Sequence, residues 1–133
     1  MVSGIEKQKI SIKGIFRRGD KFLLLKQIND IWELPGGKLE LGEQIDECFS
    51  REMSEELGWH EVKVGDPTHV WTIDGKDNKT QFILIAVTAG PRDEPIVLSD
   101  EHTEYGWFSL LEIETLTVRS THLINAIKKS IET

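Results

Sequence analysis

The chain holds one cysteine, Cys48, so no disulfide can form within it, and thiol usage this sparse fits a reducing compartment. No apolar run approaches the 18 or so residues of a membrane span, and the opening MVSGIEKQKI lacks the apolar stretch of a secretory leader. A cytoplasmic location is expected. Positive charge is in the minority: 16 Lys and Arg against 23 Asp and Glu leave a formal net charge of −7. An acidic surface repels nucleic-acid backbone and anionic membrane alike, so neither is expected as a partner. The four histidines, His60, His69, His102 and His122, are scattered and form no metal-ligand spacing. Repeats and low-complexity linkers are absent. The 133 residues suffice to bury about two-thirds of the unfolded surface, and one domain over 1–133 is expected, as a monomer or homodimer.

What is present is concentrated between Gly37 and Trp59, GKLELGEQIDECFSREMSEELGW. Seven positions in it, Gly37, Glu43, Arg51, Glu52, Glu55, Glu56 and Gly58, stand in a fixed frame. At usages of about 5–7% per residue type, their coincidence in a chain of this length is on the order of one in a million. A helix of about 43–57 turns by about 100° per residue. Its apolar stripe then runs through Ile45, Cys48 and Phe49, while Glu43, Asp46, Glu47, Ser50 and Ser54 fill the opposite side. Glu52, Glu55 and Glu56 fall within about 80° of the stripe. Carboxylates turned inward repel one another and lose hydration, so they take up protons or bind a cation. Mg²⁺ suits them: it accepts oxygen ligands, keeps several waters and bridges carboxylates to substrate phosphates. Arg51, four residues before Glu55, is placed to brace a carboxylate.

The remaining chain alternates strands and turns. Lys9–Arg17 has a β pattern, Gly19-Asp20 supplies a hairpin turn, and Phe22–Lys26 returns as a second strand. Residues 28–42 read as a loop punctuated by Pro35, Gly36, Gly37 and Gly42, and Gly58 as the stop of the central helix. Glu61–Val64 and His69–Ile73 read as short strands and Gln81–Thr88 as a long one. Between them, 74–79 is a turn without the spacing of a calcium loop. Gly90–Asp100 reads as an exposed loop, Glu104–Phe108 as a short strand, and Ser120–Ile131 as a helix with one buried side through Leu123, Ile124, Ile127 and Ile131. The order indicates an α/β fold. Cys48 is assigned to the core, and Gly36 and Gly37 to a close backbone approach where a side chain would block a metal or phosphate.

The seven-position frame, with Met53 and Trp59 in its two apolar slots, resembles the signature box of the Nudix hydrolases. The similarity extends upstream through Trp32-Glu33-Leu34-Pro35-Gly36-Gly37 and downstream to Glu101 and Trp107-Phe108. It implies an α/β/α sandwich with a mixed central sheet, the box helix and a C-terminal helix packed on it. It also implies a metal site in which the Gly36 carbonyl joins Glu52 and Glu56, with Glu55 completing the set. Mg²⁺ is the implied cofactor, with Mn²⁺ as its substitute. The implied reaction is attack of water on phosphorus in a diphosphate linkage of a nucleotide or nucleotide conjugate. Glu52 ranks first as the base, and Glu101, six residues before Trp107, follows as a ligand or alternate base.

Substrate contacts are expected from Lys26 and Lys38, which flank the glycine-rich loop, and from Trp32, with Trp71, Phe82 and Trp107 as further rings able to stack on a base. The proline of many ADP-ribose hydrolases is missing after the box. The only tyrosine, Tyr105, does not stand where dinucleoside polyphosphate hydrolases carry theirs. A MutT-like nucleoside triphosphate pyrophosphatase leads, followed by an ADP-ribose or nucleotide-sugar pyrophosphatase, and last by a nucleotide-sensing domain without turnover.

Overall fold

The computed structural model describes residues 4–90 and 92–132. Ten elements follow one another: β1 (Lys7–Arg18), β2 (Lys21–Gln27), β3 (Trp32–Glu33), β4 (Gly36–Lys38), α1 (Ile45–Leu57), β5 (Val64–Asp74), β6 (Thr80–Ala89), β7 (His102–Phe108), α2 (Leu110–Ile113) and α3 (His122–Ile131). Among the described residues the strands form a seven-stranded mixed sheet in the order β3-β2-β1-β6-β5, with β4 paired to β1 and β7 to β2. The pairing of β1 with β6 is parallel and the others are antiparallel.

Alternation along the strands sends apolar side chains to both faces, and each face is covered by helix. Ile12, Phe16, Leu23, Leu25 and Val87 pack with Cys48, Phe49, Met53 and Leu57 of α1. Ile15, Phe22, Leu24 and Leu84 pack with Ile113 of α2 and Leu123, Ala126 and Ile127 of α3. This is the expected α/β/α sandwich.

The edge of β1 opposite β6 is divided. Arg17 and Arg18 pair with β2 around the Gly19-Asp20 turn, whereas Ser11–Lys13 pair with β4. Gly36 permits the second pairing, because a Cβ there would stand 2.0 Å from the carbonyl oxygen of Ile12. Residues 28–42 are therefore not the plain loop expected, since β3 and β4 are two short strands within it. Such segments are too brief to show a period.

Other boundaries shift for identifiable reasons. The two strands expected at 61–64 and 69–73 are one strand, β5, whose register slips on either side of Pro67. Proline lacks the N–H that a ladder needs, and β5 tolerates it at the sheet edge. β7 begins two residues earlier than expected, and α2 has no counterpart among the expected elements. Ser109 caps α2 by accepting from the Glu112 N–H while Glu112 accepts from the Ser109 N–H.

Candidate active site

α1 carries the acidic cluster into the fold. The Gln44 N–H donates to Glu47 at its start, Asp46 and Glu47 complement the positive end of the helix dipole, and Gly58 closes it at φ 71°. Cys48, Phe49, Met53 and Leu57 fix its buried face, and Glu56 lies on that face. Ile45, expected on the stripe, is 43% exposed. It stands in the first turn, outside the span held by the core.

The three carboxylates are not equivalent. Glu56 is buried, Glu52 is largely buried, and the Glu55 side chain is 58% exposed at the rim. Glu56 Oε1 accepts the Gly36 N–H at 2.7 Å, which ties α1 to β4. A Cβ at Gly37 would fall 2.2–2.4 Å from the carboxyl group of Glu52. The two glycines thus make room for the β1 backbone and for Glu52, close approaches within the protein where the sequence alone suggests an approach to a ligand.

Arg51 braces more than one carboxylate. Its guanidinium forks onto Glu43 at 2.8 and 3.0 Å, donates to Glu52 Oε1 at 2.8 Å and to the Lys38 carbonyl at 3.0 Å, and approaches Glu55 at 3.5 Å. These bonds hold the Glu43 carboxyl down to about 2. Glu52 moves the other way, because burial outweighs the Arg51 charge and raises its pKa. Glu56 is pushed up to about 7 by burial, which Lys13, His102 and the Gly36 N–H only partly offset.

Three residues that sequence reasoning missed meet beside Glu56: Lys13 and Glu33, which line the cleft, and His102, buried behind them. Lys13 Nζ lies 3.7 Å from Glu33 Oε2, and His102 Nε2 lies 2.8 Å from Glu33 Oε1. Burial would raise the Glu33 carboxyl, but Lys13, His102 and a bond from Gln27 hold it at about 2. Burial also opposes charge on His102, yet Glu33 and Glu56 outweigh it and raise its pKa. The histidines are thus not scattered in space: Glu33, Glu56 and His102 each offer a ligand atom, all within 4.8 Å of one another. His69 and His122 also meet, at 2.9 Å. For Lys13 a signal existed, since Lys9, Ser11 and Lys13 at every second position of β1 put three polar side chains on one strand face, and all three line the cleft.

That cleft encloses about 1270 Å³. Glu52, Glu55, Glu56 and Glu101 line it, as do Lys38, Trp32, Trp71 and Phe82. Lys26 does not: it pairs with Asp30 at 3.5 Å and Glu104 at 3.6 Å, with its Nζ 5.9 Å from the centre of the Trp32 ring. Trp107 is also elsewhere, packed near the α1 cluster with the Arg18 guanidinium 4.2 Å from its ring centre. Buried carboxylates that hold their protons unusually tightly, beside an imidazole nitrogen with no hydrogen-bond partner among the described residues, make a donor set suited to a divalent cation.

Known proteins resemble this chain in sequence and in fold. A model described as the NUDIX domain matches residues 7–127. The nucleoside triphosphatase NudI of Salmonella heidelberg is 26% identical over 136 residues, covering 89% of this chain and 95% of its own. The NudI of Salmonella paratyphi B is 30% identical over 105 residues, covering 70% and 73%. Among solved structures, the MutT protein from Methanosarcina mazei Go1 has a TM-score of 0.83 at 26% identity, covering 96% of this chain and 95% of that one. An ADP-ribose pyrophosphatase from Streptococcus suis shares the fold, with a TM-score of 0.70 at 17% identity, covering 94% and 92%.

Proposed function

Since the chain belongs to the Nudix family and is a MutT-like Nudix hydrolase, we propose that it hydrolyses nucleoside triphosphates at a phosphoric anhydride bond, dependent on Mg²⁺. The observation that carries this reading is the pairing, in one cleft, of the Glu52 and Glu56 carboxylates with the aromatic wall of Trp32, Trp71 and Phe82. The first, with a divalent cation bound, suits a polyphosphate chain, and the second suits a base. The NudI proteins, named as nucleoside triphosphatases, support the same substrate class.

In this reading Glu52, Glu55, Glu56 and the Gly36 carbonyl would hold Mg²⁺, which when bound neutralises charge that builds on the phosphoryl oxygens. Glu52 accepts a proton from the attacking water. Partial burial raises its proton affinity toward that of a working base, and Arg51 fixes one of its oxygens. Lys38, at the cleft, offers positive charge to phosphate. Glu101 lines the same cleft and is a further ligand or the alternate base.

A second reading is an ADP-ribose or nucleotide-sugar pyrophosphatase. The volume of about 1270 Å³ favours it, because small-ligand sites run to roughly 300–1,000 Å³ and a second moiety would fit in the excess. Nucleoside triphosphates and nucleotide conjugates, offered with Mg²⁺ in ¹⁸O-water and resolved by mass, separate the two readings and identify the phosphorus attacked. Glu52→Gln and Glu56→Gln should each lower turnover at least about a hundredfold with the fold intact. Wild-type rates in either variant would defeat the assignment.

A further inference from the structure

His102 is built as a ligand is built. Its side chain is 1% exposed, and Nε2 lies 2.8 Å from Glu33 Oε1. Glu33 is the natural acceptor there, held ionised by Lys13 at 3.7 Å and by the bond from Gln27 to its other oxygen. With the Nε2 proton committed to Glu33, the Nδ1 lone pair faces away from that bond. Among the described residues Nδ1 has no hydrogen-bond partner. Its neighbour is Glu56 Oε2 at 3.9 Å, too far for a hydrogen bond.

Two ligands of one cation, each about 2.1 Å from it, stand about 3 Å apart when cis and about 4.2 Å apart when trans. The gap of 3.9 Å is within the span that one cation can bridge and lies nearer the trans separation than the cis. A carboxylate that fixes the far nitrogen of a histidine while the near nitrogen is left open is also the usual support of a metal-bound imidazole. We propose that His102 Nδ1 and Glu56 Oε2 form a divalent-cation subsite with mixed nitrogen and oxygen donors, oriented by Glu33. Its imidazole favours Mn²⁺ or Co²⁺ over Mg²⁺, whose preference is for oxygen. This deepens the metal-dependent reading above and rests on it, but concerns a residue outside the Gly36, Glu52, Glu55 and Glu56 set.

The probe is Mn²⁺ added to the full chain without nucleotide, observed by electron spin-echo envelope modulation. A ¹⁴N coupling of a directly bound imidazole is expected in the wild type and should vanish in His102→Gln. The ratio of Mn²⁺ to Mg²⁺ affinity, measured by calorimetry, should fall at least about tenfold in the same variant. Glu33→Gln, which keeps the imidazole but loosens its support, should retain the coupling and weaken Mn²⁺ binding about 10–100-fold. Should His102→Gln fail to fold, replacing His60, His69 and His122 together by Gln leaves His102 the only histidine, and the coupling must then persist. Absence of the ¹⁴N coupling in the wild type, or its survival in folded His102→Gln, would overturn the proposal. Neither result touches Mg²⁺-supported turnover, which tests the hydrolase reading separately.

Discussion

Glu52 and Glu56 sit one helical turn apart, yet their surroundings push them toward different duties. Glu52 is held by Arg51 at the cleft, whereas Glu56 is sealed beneath β4 with its Oε1 fixed by the Gly36 N–H. The folded pKa of Glu56, about 7, lies above the value of 4.5 for a free glutamate. The folded state therefore binds a proton that the unfolded chain releases between those values. Stability from this group is fully present below about pH 4.5 and is lost as the pH rises through about 7. In chelator-treated protein, Glu56→Gln should thus raise Tm at pH 8, by an amount worth a few kcal/mol, since each tenfold change in proton affinity is worth about 1.4 kcal/mol. At pH 5 most of the gain should disappear. Gln keeps an oxygen for the Gly36 N–H, so thermal melts at the two pH values isolate the charge. A Tm at pH 8 unchanged or lowered would show that the Glu56 environment is not the desolvated one described.

At the scale of elements, legibility follows sequence distance. α1 can be read with its carboxylates because all its information lies within one run, and the β1–β2 hairpin because Gly19-Asp20 is local. Glu33, Glu56 and His102 cannot, since β3, α1 and the start of β7 bring them together across 69 residues of chain and only the sheet pairing of β2 with β3 and β7 closes the distance. Lysine is solvated by default, so only the alternation of Lys9, Ser11 and Lys13 sets Lys13 apart from the surface charges. The docking of α3 on β5 is likewise invisible in the sequence. There His69 Nε2 meets His122 Nδ1 at 2.9 Å, and Lys129 Nζ reaches His69 Nδ1 at 3.1 Å. Burial, then the Lys129 charge and His122, lower the His69 pKa from 6.5. For a histidine lowered in the fold, the unfolded chain binds more protons, so stability is complete above about pH 6.5 and declines as the pH falls below it. Since Glu56 acts in the opposite sense over this range, the His69 contribution shows as a difference: as the pH falls from 7 to 5.5 the Tm of His69→Gln should shift upward relative to that of the wild type. An identical slope in the two proteins would remove His69 as a contributor.

Across the whole molecule, the packing under α1 and the rim of the cleft are joined through one side chain. Trp59, in the last apolar slot of the box, is fully buried and packs edge-on to Phe16 at 5.1 Å between ring centres. Its Nε1 donates to the carbonyls of Glu94 and Pro95 at 3.1 and 3.2 Å, and the Val97 N–H donates to the Leu57 carbonyl at 3.0 Å. The segment that follows carries Ser99 and Glu101 to the cleft. An aliphatic residue in this slot would be apolar but smaller, and it could not hold the loop by hydrogen bonds. Trp59→Phe keeps much of the packing and deletes both indole bonds, so the cost should be about 1–3 kcal/mol, the range for leaving a buried polar group without its partner. Hydrogen exchange should accelerate across 94–100 while the amides of α1 keep their protection, because their helix remains packed. If Glu101 acts in hydrolysis, kcat should fall in Trp59→Phe by more than the loss of folded protein explains. Unchanged exchange in 94–100 would mean that the Val97 bond and the packing of Ile96 and Leu98 hold the loop without the indole, and unchanged kcat beside faster exchange would take Glu101 out of the reaction and leave the proton transfer to Glu52.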